Sequence, residues 1–201
     1  AMGCAIEDVR VLILTHGHDD HIGFAERLRA ERGVPVSIHE LDRALARGEV
    51  GNPSAGMGER KLRSLLHYML WLARRGGMRT KALTEVGTFD SDTALDVPGA
   101  LRVIQTPGHT HGSVTFHAPG HDALFVGDAL ATDAVITERR GPQICPFAAD
   151  PDEALASLSS IEEIQAHWLL PGHGEPWTDG VAAAVAAARE VGVDHLARPK
   201  Q

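Results

Sequence analysis

Residues 9–15 (VRVLILT) carry a single charged position among β-branched and aliphatic ones, which predicts a short strand covered on both faces. Beyond it, Ile22, Ala25, Leu28 and Arg29 recur at helical spacing. They predict a helix to about Arg32, capped by Asp19 or Asp20 and stopped by Gly33. A strand over 34–39 follows, then a short helix over 41–47 ended by Gly48, and a Gly/Pro/Ser loop over 51–58. In residues 59–75, Leu62, Leu65, Leu66, Met69, Leu70 and Ala73 keep the i, i+3, i+4, i+7 rule and predict a helix with one buried face. From Thr80 the period falls to two. Runs at 94–97, 101–106, 113–117 and 123–126, punctuated by Pro98-Gly99 and Pro119-Gly120, predict antiparallel strands. A helix over 151–163 with Asp150 as cap and Pro151 at its first position, a strand over 168–170 and an Ala-rich helix to about Val191 complete the pattern.

The 201 residues, 43% of them hydrophobic, suit one well-buried domain over 1–201, with a helical insertion at about 41–86. A net charge of −8 without clustered Lys and Arg argues against a nucleic-acid partner. No apolar run has the length of a membrane span, and the first residues lack a signal-peptide pattern, so no membrane association and a cytoplasmic location are expected. Cys4 and Cys145 are far apart and outside any CxxC, which reads as two reduced, structurally minor thiols.

The chemistry-bearing residues lie in four loops, each directly after a predicted strand. They are Thr15-His16-Gly17-His18-Asp19-Asp20-His21, Thr106-Pro107-Gly108-His109, Gly127-Asp128 and Pro171-Gly172-His173-Gly174. Loops at one edge of a sheet share one side of a domain, so these residues can converge. The adjoining glycines permit tight turns and close approach of backbone. Five histidines and two aspartates without thiolates suit Zn(II), Fe(II) or Mn(II) and suffice for two divalent ions, zinc foremost. A carboxylate between two cations can bridge them, and a water they share loses a proton near neutral pH and becomes a nucleophile. Such a centre would cleave an ester, thioester, lactone, amide or phosphoester in a small-molecule substrate.

The ordered HxHxDH, His, Asp and His elements resemble the metallo-β-lactamase superfamily over almost the whole chain. The resemblance implies an α/β fold, a four-layer αβ/βα sandwich whose N-terminal strands are truncated here. It implies His16, His18 and His109 as ligands of a first ion, Asp20, His21 and His173 as ligands of a second, and Asp128 as the bridging aspartate. Asp20 and Asp128 are then also the catalytic candidates, able to pass a proton to the leaving atom. Aspartate at 128 looks like the glyoxalase II, lactonase and phosphodiesterase branches rather than the lactamases that carry Cys there. Relatives have several strands before the HxHxDH loop, whereas fourteen residues precede Thr15. Either the sequence continues upstream of Met2, or another chain, such as a second copy in a homo-oligomer, covers the open edge.

Two rivals stand beside this hydrolase. One is a mononuclear iron enzyme similar to persulfide dioxygenases, and the other is a shortened metal-binding domain or subunit without activity of its own. Among the remaining histidines, His39 and His111 are candidates for a supporting role near the site, while His67, His117, His121, His167 and His195 read as ordinary surface or structural residues. Tyr68 and Trp71 lie on the flank of the 59–75 helix. Core or dimer packing accounts for them, and a lid lining a substrate pocket is the alternative.

Overall fold

The computed structural model describes residues 5–54, 62–74, 80–134 and 137–196. Its elements in chain order are β1 (Leu12–Ile13), α1 (Asp19–Ile22), α2 (Ala25–Arg32), β2 (Val36–His39), α3 (Arg43–Ala46), α4 (Leu62–Arg74), β3 (Gly87–Phe89), β4 (Arg102–Gln105), β5 (Val114–Ala118), β6 (Ala123–Gly127), β7 (Ala131–Ala134), β8 (Arg139–Gln143), α5 (Pro151–Ser157), β9 (Trp168–Pro171) and α6 (Val181–Val191).

Among the described residues three sheets form, in the orders β1-β2-β3, β4-β5-β6-β9 and β7-β8. The first is wholly parallel, with Leu12 opposite Val36 and His39 opposite Phe89. The second is antiparallel from β4 to β6 and turns parallel at β6 and β9, where Leu124 faces Leu169. Three apolar clusters set the layers. Ala25 of α2 packs with Leu14, Val36 and Ile38 outside the first sheet. Ile13 and Phe89 of that sheet meet Val103, Val114 and Phe116 of the second. On the far side, Leu124, Val126 and Leu169 pack against Ala154 of α5 and Val181, Ala184, Val185 and Ala188 of α6. Helix, sheet, sheet and helix therefore lie in that order. Phe125 pairs with Phe116 across β5 and β6 yet is 40% exposed, so the first sheet covers only part of this face.

Several expectations need correcting. The helix expected to run unbroken to Arg32 divides at Gly23, whose positive φ of 35° turns the chain between α1 and α2. The residue at the N-cap of α1 is His18, with no side-chain cap bond, rather than Asp19 or Asp20. Residues 94–97 form no strand, only a bridge from Ala94 to Arg102, and the third strand of the first sheet is instead β3. The β7-β8 hairpin has no counterpart in the period-two reading. On α4, Leu66, Met69 and Leu70 are exposed rather than buried. The Asp150 cap holds, its side chain accepting from Glu153 N ahead of Pro151. Among the described residues, no helix is long and apolar enough to cross a membrane.

Candidate metal centre

Each of the four loops leaves a strand end at the same edge, following β1, β4, β6 and β9. The first loop is fixed at both sides: Val114 N donates to Thr15 O at 3.0 Å, and Gly17 N donates to Asp42 Oδ2 at 2.8 Å. The second is pinned where α5 begins, with Ala149 N donating to His109 O and Asp150 N to Gly108 O. Gly108 has φ +113°, and a Cβ there would collide with the Ala154 backbone, so the close approach of loop to helix requires glycine. The third and fourth loops are joined by Gly172 N donating to Gly127 O at 2.8 Å.

Seven side chains converge as a result. His16, His18 and His109 form one group, Asp20, His21 and His173 another, and each offers nitrogen or oxygen atoms within 4.8 Å of one another. Asp128 lies between them: its Oδ2 is 4.0 Å from His16 Nε2, 3.3 Å from His109 Nε2 and 3.2 Å from His173 Nε2, and its Oδ1 is 3.2 Å from His21 Nε2. His109 Nε2 faces His18 Nδ1 at 2.9 Å, and Asp20 Oδ2 lies 3.2 Å from His173 Nε2. The donor set fits a divalent cation. Buried His16 Nε2 points into the cluster with no hydrogen-bond partner, and borderline nitrogen donors mixed with carboxylates match Zn(II) or Fe(II) chemistry.

The electrostatics divide the cluster. Burial lowers the His16 and His18 pKa values and brings His109 to about 4, which keeps these rings neutral. The contacts of His173 with Asp128 and Asp20 raise it to about 10. Burial pulls His21 down, but the Asp128 carboxylate outweighs it and the net shift is upward. Burial pushes Asp128 up, yet His173 and His21 hold it well below the usual carboxylate range. Asp20 behaves likewise, burial opposing and His173 prevailing.

A family model described as the metallo-beta-lactamase superfamily matches residues 1–173. The chain belongs to the metallo-β-lactamase superfamily. Probable metallo-hydrolase YflN of Bacillus subtilis is 29% identical over 179 residues, covering 85% of this chain and 66% of its own length. Probable metallo-hydrolase YybB of the same organism is 28% identical over 171 residues, covering 85% and 67%. This superfamily member thus spans about two thirds of the length of these curated relatives. Among solved structures, the metallo-β-lactamase family protein TTHA1429 of Thermus thermophilus aligns with a TM-score of 0.64 at 24% identity, over 92% of this chain and 61% of that one. TTHA1623 in a di-iron-bound form aligns with a TM-score of 0.55 at 26% identity, over 84% and 72%. The metallo-β-lactamase fold is the α/β architecture described above.

Other candidates fare differently. His39 is buried, but its Nε2 contacts Ser91 Oγ at 2.8 Å and its Nδ1 accepts from Leu41 N, so it closes a turn rather than facing the cluster. His111 is exposed and outside every ligand group. Tyr68 is half-buried, and burial together with the charges of Asp20 and Asp128 raises its pKa, which sets its hydroxyl within the field of the cluster. The Trp71 side chain lies outside the described residues, as does Cys4. Two residues escaped the sequence reading. Cys145, expected to be structurally minor, is buried with its Sγ donating to Asp128 Oδ2 at 3.2 Å. Asp42, inside what read as an ordinary short helix, is 1% exposed and bonded to two of the loops.

Proposed function

We propose that this superfamily member is a metallohydrolase that holds two divalent ions, most favourably zinc, and cleaves an ester, thioester, lactone, amide or phosphoester bond of a small-molecule substrate. The observation that carries the reading is Asp128: one buried carboxylate with histidine nitrogens of both triads within 4.0 Å of its oxygens. His16, His18 and His109 would hold one ion, Asp20, His21 and His173 the other, and Asp128 would serve both. When bound, such ions polarise a carbonyl or phosphoryl oxygen and acidify water near neutral pH.

The chain's own residues supply the rest. The inner histidines are buried and neutral, so their nitrogens are available as donors at neutral pH without prior loss of a proton. Asp20, whose carboxylate is 38% exposed, stands on the open side of the cluster with its Oδ2 against His173 Nε2. As the more exposed of the two carboxylates, it would take a proton released at the reacting centre and return it to the leaving atom. Tyr68, whose hydroxyl the charges of Asp20 and Asp128 reach, would serve as a polar group for orienting substrate.

Metal analysis of protein purified without added metal, combined with a panel of lactone, thioester, β-lactam and phosphodiester substrates on the same preparation, tests the proposal. Two equivalents of zinc with turnover of one substrate class are expected. Absence of stoichiometric Zn, Fe or Mn after reconstitution would overturn it. One equivalent of iron with oxygen consumption on a persulfide would replace it with the dioxygenase reading.

A further inference from the structure

Asp42 ends the turn Glu40–Asp42 that follows β2, outside all four ligand loops. It is a buried carboxylate at 1% exposure, a placement that is costly unless its oxygens are fully engaged. They are. Oδ2 accepts from Gly17 N at 2.8 Å and from Thr110 Oγ1 at 2.7 Å, while Oδ1 accepts from Gly112 N at 2.7 Å. Such short bonds to an ionised acceptor are roughly twice as strong as neutral ones. The fit is close: a Cβ on Gly112 would sit 2.6 Å from Asp42 N and 2.7 Å from its Oδ1. Thr110 is itself held by Ser113, whose Oγ lies 2.8 Å from Thr110 Oγ1 and accepts from Thr110 N at 3.1 Å.

The partners are specific in kind. Gly17 stands between His16 and His18, and Thr110 follows His109, so the contacts of Asp42 fall on the two loops carrying the inner triad. We propose that Asp42 is the positioning residue of the inner triad, a carboxylate clasp that sets His16 and His18 against His109 and thereby fixes the affinity of that half of the centre. The proposal rests on the metallohydrolase reading. Groups that orient metal-ligating side chains from behind typically change metal affinity by about 10–100-fold when altered.

Asp42→Asn keeps the volume but removes the charge and one acceptor. Its amide NH2 must then meet either Gly112 N–H or Gly17 N–H, so one loop is released. The test is zinc titration against a chromophoric chelator in two backgrounds: His173→Ala, which leaves the inner triad intact, and His16→Ala, which leaves the outer one. Asp42→Asn is expected to weaken zinc binding about 10–100-fold in the first background and to leave the second within about threefold. Thr110→Val, which removes one of the three bonds to Asp42 together with the Oγ1 contact to Ser113 and spares the backbone, is expected to give a smaller loss with the same selectivity. Equal loss in both backgrounds, or none in either, would overturn the clasp. If Asp42→Asn does not fold, Thr110→Val decides the matter by the same comparison. Wild-type protein that takes up no divalent ion overturns the metallohydrolase reading itself, whereas wild type that binds two ions beside an indifferent Asp42→Asn overturns only the clasp.

Discussion

The two triads of the cluster, three histidines in one and an aspartate with two histidines in the other, are also built differently. His16, His18 and His109 are 0%, 6% and 1% exposed, and the loops that carry them are bonded to Asp42, Val114, Ala149 and Asp150. The side chains of Asp20, His21 and His173 are 38%, 15% and 36% exposed, and charge pairs with one another and with Asp128 arrange them. The inner triad is set by the fold and stays neutral; the outer triad shares one of those loops through Asp20 and His21 but is also held by its own ion pairs. Donors placed by the scaffold need no rearrangement when a cation arrives, whereas donors held by internal ion pairs must first give those pairs up. The difference predicts an inner half that binds first and tightly, and an outer half that is adjustable and faces substrate.

The largest expected effect comes where the two halves share a residue. Asp128→Ala removes the carboxylate that faces both, and turnover should fall by roughly 10⁴-fold or more, the scale seen when one member of a group acting as a unit is lost. Metal content, measured by elemental analysis after dialysis, should fall from two equivalents toward one as the second ion is lost. Retention of both ions would refute the placement of Asp128 between the triads.

Next in size, single deletions should separate the halves. His16→Ala removes an inner donor, and His173→Ala an outer one. Each should lower turnover by about 10²-fold through loss of fixed electrostatic stabilisation. Only His173→Ala should still carry one firmly held equivalent through a chelating column. Identical metal retention by the two variants would erase the distinction between the halves.

The four loops of the cluster are legible in sequence because HxHxDH is a local pattern and each later His or Asp follows a strong apolar run beside glycine. What escaped depends on long-range pairing or on burial that no local pattern reports. The three residues of β3 pair in parallel with β2 across about fifty positions of chain and present a largely exposed pattern, so no periodicity marks them. In the β7-β8 hairpin, Arg139, Arg140, Gly141 and Pro142 contradict ordinary strand composition. Asp42 sits in Glu40-Leu41-Asp42-Arg43, where a carboxylate reads as a solvated helix residue; only the folded approach of Gly17 and Gly112 buries it. The α4 stripe misled for the converse reason, since helical spacing reports that one face is apolar without saying that anything covers it.

Acidity supplies a smaller and graded test. The Asp128 and Asp20 carboxylates push His173 up to about 10 from the ordinary 6.5, so its ring carries a proton at neutral pH that it would have to release to bind a cation. Affinity at the outer triad should therefore rise with pH, by up to about tenfold per unit for this one proton, until the pKa is passed. His109 titrates at about 4, below the ordinary value, so it is already neutral at pH 6 and above and adds no such slope. Zinc titrations at about pH 6, 7 and 8 in the His173→Ala and His16→Ala backgrounds would check the contrast, which also predicts a flat profile for the inner triad across this range. Equal slopes would mean that the two halves share their protons.

Cys145 gives the smallest expected effect and the finest view of how Asp128 is oriented. Its thiol is buried, and burial together with the Asp128 charge pushes its pKa well above the ordinary thiol value, so it remains an S–H donor to Oδ2. That oxygen also faces His16, His109 and His173, so the thiol acts on the junction of the two triads rather than on either one. A thiol is a weak donor. Cys145→Ala should accordingly lower zinc affinity by only about threefold to tenfold, and in both single-triad backgrounds alike. Cys145→Ser places a stronger donor on a shorter arm and should recover most of the loss. An effect confined to the inner triad would show that Cys145 belongs with the clasp behind His109, whereas failure of serine to rescue would mean that its packing, and not its hydrogen bond, holds the carboxylate in place.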